Sequence, residues 1–234
     1  MKMSALPYYA ASMLTIAKGI NFYIIPLLFF KKPQLIKLTT GHKFYVENLM
    51  DIWTLKEVIL DRQYEKIKQI GKCNTVIDIG SSIGDFSILA SKSAKNVFSF
   101  EADRGRINLM KKNVRINGCH NIDLNKRRVD SLDTIFRDKH ITQCDFLKID
   151  CEGAEYPIFK NSHDNIIRKI KFIAMEAHLF NALMSDDFEI LKQRLSKCGF
   201  TIKEIENPVH SYIKYIYAQN KHKEPIKSAD TDKK

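Results

Sequence analysis

Four acidic residues, Asp78, Glu101, Asp150 and Glu176, each end a short apolar run with the look of a strand. One acid at a strand end is commonplace. Four in register would line one rim of a parallel sheet, where doubly wound folds bind their ligands. After the first acid the chain reads Asp78-Ile79-Gly80-Ser81-Ser82-Ile83-Gly84. Gly80 and Gly84 permit tight turns and close approach of a ligand. A helix that follows offers free backbone N–H groups. The loop lacks the second close glycine of the dinucleotide pattern, and its leading carboxylate would repel a diphosphate. It suits a cofactor carrying an ammonium and a sulfonium, which is S-adenosylmethionine, or else Asp78 serves to fix the loop. Glu101 follows Gly80 by about twenty residues, the interval at which an acid meets a ribose diol in Rossmann-like folds.

These positions demand β–α alternation, and the pattern from residue 75 onward supplies it. Strands are predicted at 75–79, 96–100, 122–124, 145–149, 172–176, 200–205 and 212–218. Helices are predicted at 86–93, 106–117, 130–136, 157–170 with a break near His163, and 186–198, with Gly118 and Gly199 just past two of the ends. Only residues 206–211 separate the last two strands, so they are expected to pair as a hairpin. The alternation predicts an α/β fold, a Rossmann-like doubly wound sheet, mainly parallel, with one antiparallel strand near the C-terminus, and the acid-led glycine loop is what makes the expected form that of a class I methyltransferase. Upstream, residues 34–46 read as two short strands around Thr40-Gly41, and 51–70 as a helix closed by Gly71.

The residues resemble the FkbM family of methyltransferases. The resemblance is carried by 76–87 around the glycine loop, Phe100-Glu101-Ala102-Asp103, Asn117-Gly118, Ser131-Leu132-Asp133, the stretch 145–155 ending Asp150-Cys151-Glu152-Gly153-Ala154-Glu155, and Glu176-Ala177-His178. It runs from about residue 44 to 199, and residues 51–57 with Tyr64 look like the family's upstream helix. It implies methyl transfer to a hydroxyl of a sugar, lipid-linked glycan or natural product. It places the cofactor against Asp78, Gly80, Ser81, Gly84 and Glu101, and Asp150, Glu152, Glu176 and His178 around the acceptor. One departure stands out. Members usually carry a longer segment after the third strand, part of which lines the adenine pocket, whereas here residues 121–128 run almost directly into Val129-Asp130-Ser131. The family's adenine contacts therefore do not carry over.

Methyl transfer to oxygen needs a base near the hydroxyl proton. His178 suits neutral pH, and crowding of Asp150 and Glu152 could raise one carboxyl into the same role. No metal is expected; the alternative is that Asp150, Glu152, Glu176 and His178 hold a divalent ion, and another is that Glu152 and Glu155 simply favour the start of the next helix. Cys151 reads as a small buried residue.

The composition bounds the rest. With 44% apolar and 28% charged residues over 234 positions, general disorder is excluded. The net charge of +11 favours anionic partners, yet no nucleic-acid module is visible and nucleic acid is not the expected partner. Five scattered cysteines without a Cys-x-x-Cys argue for reduced thiols in a cytoplasmic setting. Residues 3–30 are apolar but interrupted by Pro7, Lys18, Gly19, Asn21 and Pro26, which disfavours a spanning helix. An extension that packs on the domain or touches a membrane surface is expected for residues 1–30. The domain reading is an N-terminal extension at 1–43, a methyltransferase domain at 44–219 and a disordered basic tail at 220–234. Rival readings are a catalytically degenerate scaffold that binds a membrane or partner, and an RNA or protein methyltransferase.

Overall fold

Val76, Ile77 and Ile79 are buried almost completely, as are Phe146, Leu147 and Ile149, and both runs lie at the centre of a parallel sheet covered on each face. The computed structural model describes residues 5–30 and 32–221. Of the predicted basic tail, residues 222–234 lie outside the described residues. The strands are β1 (Gln34–Lys37), β2 (Lys43–Val46), β3 (Cys73–Ile79), β4 (Ala94–Glu101), β5 (Ile122–Lys126), β6 (Phe146–Ile149), β7 (Phe172–His178), β8 (Phe200–Glu206) and β9 (Ile213–Asn220). β1 and β2 form a small hairpin, and the rest make a seven-stranded sheet in the order β5-β4-β3-β6-β7-β9-β8. β9 runs antiparallel to both β7 and β8, and the other pairs are parallel. The expected doubly wound, mainly parallel sheet with one antiparallel strand is the one observed.

Alternation along the strands divides the core. Val76 and Phe146 pack into one layer with Phe86, Val97 and Phe172. Their neighbours Ile77 and Leu147 pack into the other with Phe100, Leu132, Phe159 and Phe188.

The helices are α1 (Ala5–Gly19), α2 (Leu49–Leu55), α3 (Asp85–Ser91), α4 (Arg104–Ile116), α5 (Leu132–Asp138), α6 (Glu155–Lys160), α7 (Asp164–Ile167) and α8 (Ala182–Lys197). Side-chain caps set several starts: Asp103 accepts from the N–H of Arg106, Ser131 from Thr134 and Asn181 from Met184. The predicted break near His163 is the gap between α6 and α7.

The helix predicted over 51–70 is corrected. It starts at Leu49, widens into a π turn at Lys56–Leu60, and stops where Arg62 takes a left-handed φ of 55°. Lys56 is 2% exposed, pairs with Asp61 at 2.7 Å and faces the rings of Tyr8 and Trp53. Satisfying that ammonium locally favours the widened turn over a continued helix. α1 packs on this turn through Tyr8, whose hydroxyl donates to Glu57 at 3.0 Å.

Candidate active site

The crevice begins with Gly80. Its φ is +76°, and a Cβ built there would stand 1.7 Å from the Asp150 carbonyl oxygen. The glycine is what lets the ends of β3 and β6 converge. Ser82 follows in a left-handed conformation at φ 45°, which turns its backbone N–H onto Glu101 Oε2 at 2.8 Å. Glu101 Oε1 accepts from the Asp103 N–H at 2.8 Å. The loop and the end of β4 are thus tied together by one carboxylate.

A cavity of about 620 Å³ opens beside them, lined by Gly80, Ser82, Glu101, Arg127, Val129 and Asp150 among others. That size and mixed lining fit a small-molecule site. The shortened segment after β5 does not leave the cavity bare: Arg127, Arg128 and Val129 form one wall, with the Arg127 guanidinium 5.2 Å from the centre of the Phe100 ring and 2.7 Å from Asp138. Arg106 closes the rim on another side through a 2.6 Å ion pair with the buried Asp51.

Three of the residues singled out in the loop lie elsewhere. Asp78 is fully buried, accepts from Ser87 Oγ at 2.5 Å and pairs with Lys148 at 3.2 Å. Asp78 and Lys148 are register partners on β3 and β6, and Lys148 also donates to the Gly80 carbonyl at 2.7 Å. Burial opposes the charge on Lys148, but Asp78, Asp150 and Asp85 outweigh it and hold the ammonium protonated. The pair therefore supports the loop from beneath, the role left open for Asp78. Ser81 is buried with its hydroxyl toward Met110 Sδ, and Gly84 backs onto the same methionine. Neither lines the cavity; Ser82 does.

A second cavity of about 610 Å³ adjoins the first, and Asp150 and Glu152 line both. Its walls include Tyr8, Trp53, Tyr64, Glu176, His178 and Tyr212. The Tyr64 hydroxyl donates to Asp150 Oδ2 at 2.8 Å. Glu176 is pushed up to about 8 by burial and then by the Asp150 carboxylate. His178 lies with Nδ1 3.3 Å from Glu155 Oε1 and Nε2 3.5 Å from Glu176 Oε1. Burial opposes its charge, but the bond to Glu155 and the carboxylates of Asp150, Glu155 and Glu176 raise its pKa above the ordinary histidine value. Glu155 is fully buried and also accepts from the N–H groups of Cys151 and Gly153. Burial pushes the Cys151 thiol far up, which leaves it unreactive.

Sequence reasoning missed Lys148, Glu155 as the anchor of His178, Ser82 and the wall 127–129. Only Lys148 left a signal, as a lone charge in an apolar strand, which requires a buried acid beside it.

Residues 120–202 match the Methyltransferase FkbM domain. Comparison with curated proteins returns no match. Among solved structures, an rRNA methylase from Streptococcus thermophilus is similar at 12% identity, covering 64% of this chain and 88% of that one with a TM-score of 0.51. TrmK from M. capricolum, in complex with S-adenosyl-homocysteine, is 18% identical over 70% of this chain and 69% of its own, with a TM-score of 0.52. A Streptococcus mutans protein described as a methyltransferase, also with S-adenosyl-homocysteine, reaches 14% identity, 68% and 96% coverage and a TM-score of 0.54. The fold is that of the class I methyltransferases, and within it residues 120–202 are similar to the FkbM methyltransferase domain.

Proposed function

We propose that the chain transfers a methyl group from S-adenosylmethionine to an acceptor hydroxyl, within a single methyltransferase domain spanning residues 44–219. The observation that carries this reading is the meeting of two cavities at Asp150 and Glu152, one beside the Gly80–Glu101 loop and one beside His178. The first suits the cofactor. Glu101 is placed at its rim to accept from a ribose diol, and the FkbM match and the S-adenosyl-homocysteine found in two proteins of the same fold support that choice. Among the sequence candidates, Gly80 and Glu101 would contact the cofactor, while Asp78, Ser81 and Gly84 would shape the loop. Asp150, Glu152, Glu176 and His178 would surround the acceptor.

Bound beside Gly80 and Glu101, S-adenosylmethionine would supply the methyl group and leave as S-adenosyl-homocysteine, and the Asp150–Glu176–His178 group would take the proton of the acceptor hydroxyl. A small-molecule or glycan acceptor fits better than RNA. The acceptor cavity presents Glu57, Asp150, Glu152 and Glu176 beside Tyr8, Trp53 and Tyr212. Carboxylates at Asp150 and Glu152 would repel phosphates, and the rings offer flat apolar faces with polar edges.

Calorimetric titration with S-adenosyl-homocysteine tests the reading. Binding is expected, with at least a ten-fold loss in Glu101→Gln, about the value of one hydrogen bond to a charged group. No heat at millimolar ligand would refute it. A second feature of the activity, contact with a membrane surface, is favoured by the exposed aromatic residues Phe22, Tyr23, Phe29 and Phe30.

A further inference from the structure

At the end of β7 the acceptor cavity contains a cluster whose bonding is incomplete. Asp150, Glu176 and His178 each bring a ligand-type atom to within 4.8 Å of the others. His178 is 5% exposed. Its Nδ1 is engaged by Glu155, and Nε2 makes no hydrogen bond among the described residues, having Glu176 Oε1 at 3.5 Å as its polar neighbour. Glu155 accepts two backbone N–H groups, so it is fixed in place as an acceptor, and it selects the tautomer with the proton on Nδ1. That turns the Nε2 lone pair toward two carboxylates. Tyr64 satisfies one oxygen of Asp150. Lys148, the buried ammonium on the neighbouring strand, is spent on Asp78 and the Gly80 carbonyl. Three acceptors face one another across a gap.

We propose that Asp150, Glu176 and His178 bind a small divalent cation, with Glu155 as the positioning residue behind the histidine. A carboxylate accepting the N–H of the far nitrogen of a ligand imidazole is the arrangement that orients metal-binding histidines. Two carboxylate oxygens and one imidazole nitrogen suit a divalent cation such as Mn²⁺, through the carboxylates, or the borderline Zn²⁺. Ligand bonds of roughly 2.0–2.2 Å place ligand atoms at most about 4.4 Å apart, so a shift of a few tenths of an ångström closes the set. The remaining positions point into the cavity, where an acceptor bearing a hydroxyl beside a second oxygen would complete them. The ion's purpose rests on the methyl-transfer reading; its binding does not. With the ion in place His178 is a ligand, not a base.

The test is titration of the full-length chain with MnCl₂ alone, followed by calorimetry and pulsed electron paramagnetic resonance. One site is expected at millimolar affinity or better, with nitrogen coupling from the imidazole. His178→Ala should abolish that coupling, and Asp150→Asn and Glu155→Gln should each weaken binding about ten-fold or more. The wild-type spectrum decides even if a variant fails to fold. Absence of Mn²⁺ binding, or bound Mn²⁺ without nitrogen coupling, overturns the proposal. S-adenosyl-homocysteine binding in a chain that ignores Mn²⁺ removes the ion and leaves the methyl-transfer reading standing; Mn²⁺ binding without S-adenosyl-homocysteine does the reverse.

Discussion

Gly80 and Asp85 bracket the loop and respond differently to substitution. A side chain at Gly80 would meet the Asp150 carbonyl at 1.7 Å in a left-handed backbone, and the obstacle is main chain, which cannot swing aside. Gly80→Ala should therefore cost at least about 3 kcal/mol, the range of combined steric and backbone strain. A denaturant midpoint near that of the wild type would show that β3 and β6 can part. Asp85 is 3% exposed, and its Oδ2 has no hydrogen-bond partner among the described residues. Burial pushes its carboxyl up to about 7, against the pull of Lys148 and with a push from Asp78. The sign follows from proton counting. An unfolded aspartate ionises near pH ~3.9, whereas the folded one keeps its proton to about pH 7. Between those values the folded state binds more protons, so raising the pH destabilises it by up to about 1.4 kcal/mol per unit, levelling off above. Asp85→Asn keeps Oδ1 as acceptor for the Phe86 N–H and removes the ionisation. Its gain in thermal midpoint over the wild type should be larger at pH ~8 than at pH ~4.5; an equal difference at both would mean the carboxyl titrates normally.

At the scale of elements, the sheet and its strand-end acids were legible because their signals are local. Alternation of period two, a glycine after an acid and a capping serine or asparagine are all written within a few residues. The glycine loop falls between β3 and α3, as expected, for that reason. What the loop does with each residue was not legible. Whether Ser81 or Ser82 faces the cavity depends on the left-handed turn at Ser82 and on Met110 from α4 filling the space behind Ser81. The wall at Arg127–Val129 depends on Arg127 pairing with Asp138 of α5 while lying over the Phe100 ring of β4, which no spacing records. The helix predicted over 51–70 failed similarly. Apolar periodicity persists to Leu60, but Lys56 must find Asp61 and the α1 rings, and that tertiary demand breaks the helix. Strand ends deliver the acids; the helices packed over them decide which of those acids face a cavity.

At the scale of the molecule, the N-terminal extension joins a surface to the site. Phe22, Tyr23, Leu27, Phe29 and Phe30 are between 43% and 82% exposed, a density of bare aromatic surface that marks an interaction face. No described helix is long and apolar enough to cross a membrane. The same extension sends Tyr8 and Tyr9 into the acceptor cavity. Lys18, Lys32 and Lys37 lie close by in sequence, and the whole chain carries a charge of +11. An apolar face on a chain of net positive charge suits the boundary of an anionic bilayer, each lysine adding about 1 kcal/mol near the headgroups. Sedimentation with phosphatidylglycerol vesicles checks it. The wild type should co-sediment, weakening as salt is raised, and Phe29→Ser with Phe30→Ser should reduce binding at least ten-fold, since two buried aromatic side chains contribute on the order of 3 kcal/mol or more. Because neither residue lines the cofactor cavity, S-adenosyl-homocysteine affinity should be unchanged in the double variant. Vesicle binding that survives the double variant but vanishes in high salt would assign the attraction to charge alone and remove the extension from the contact.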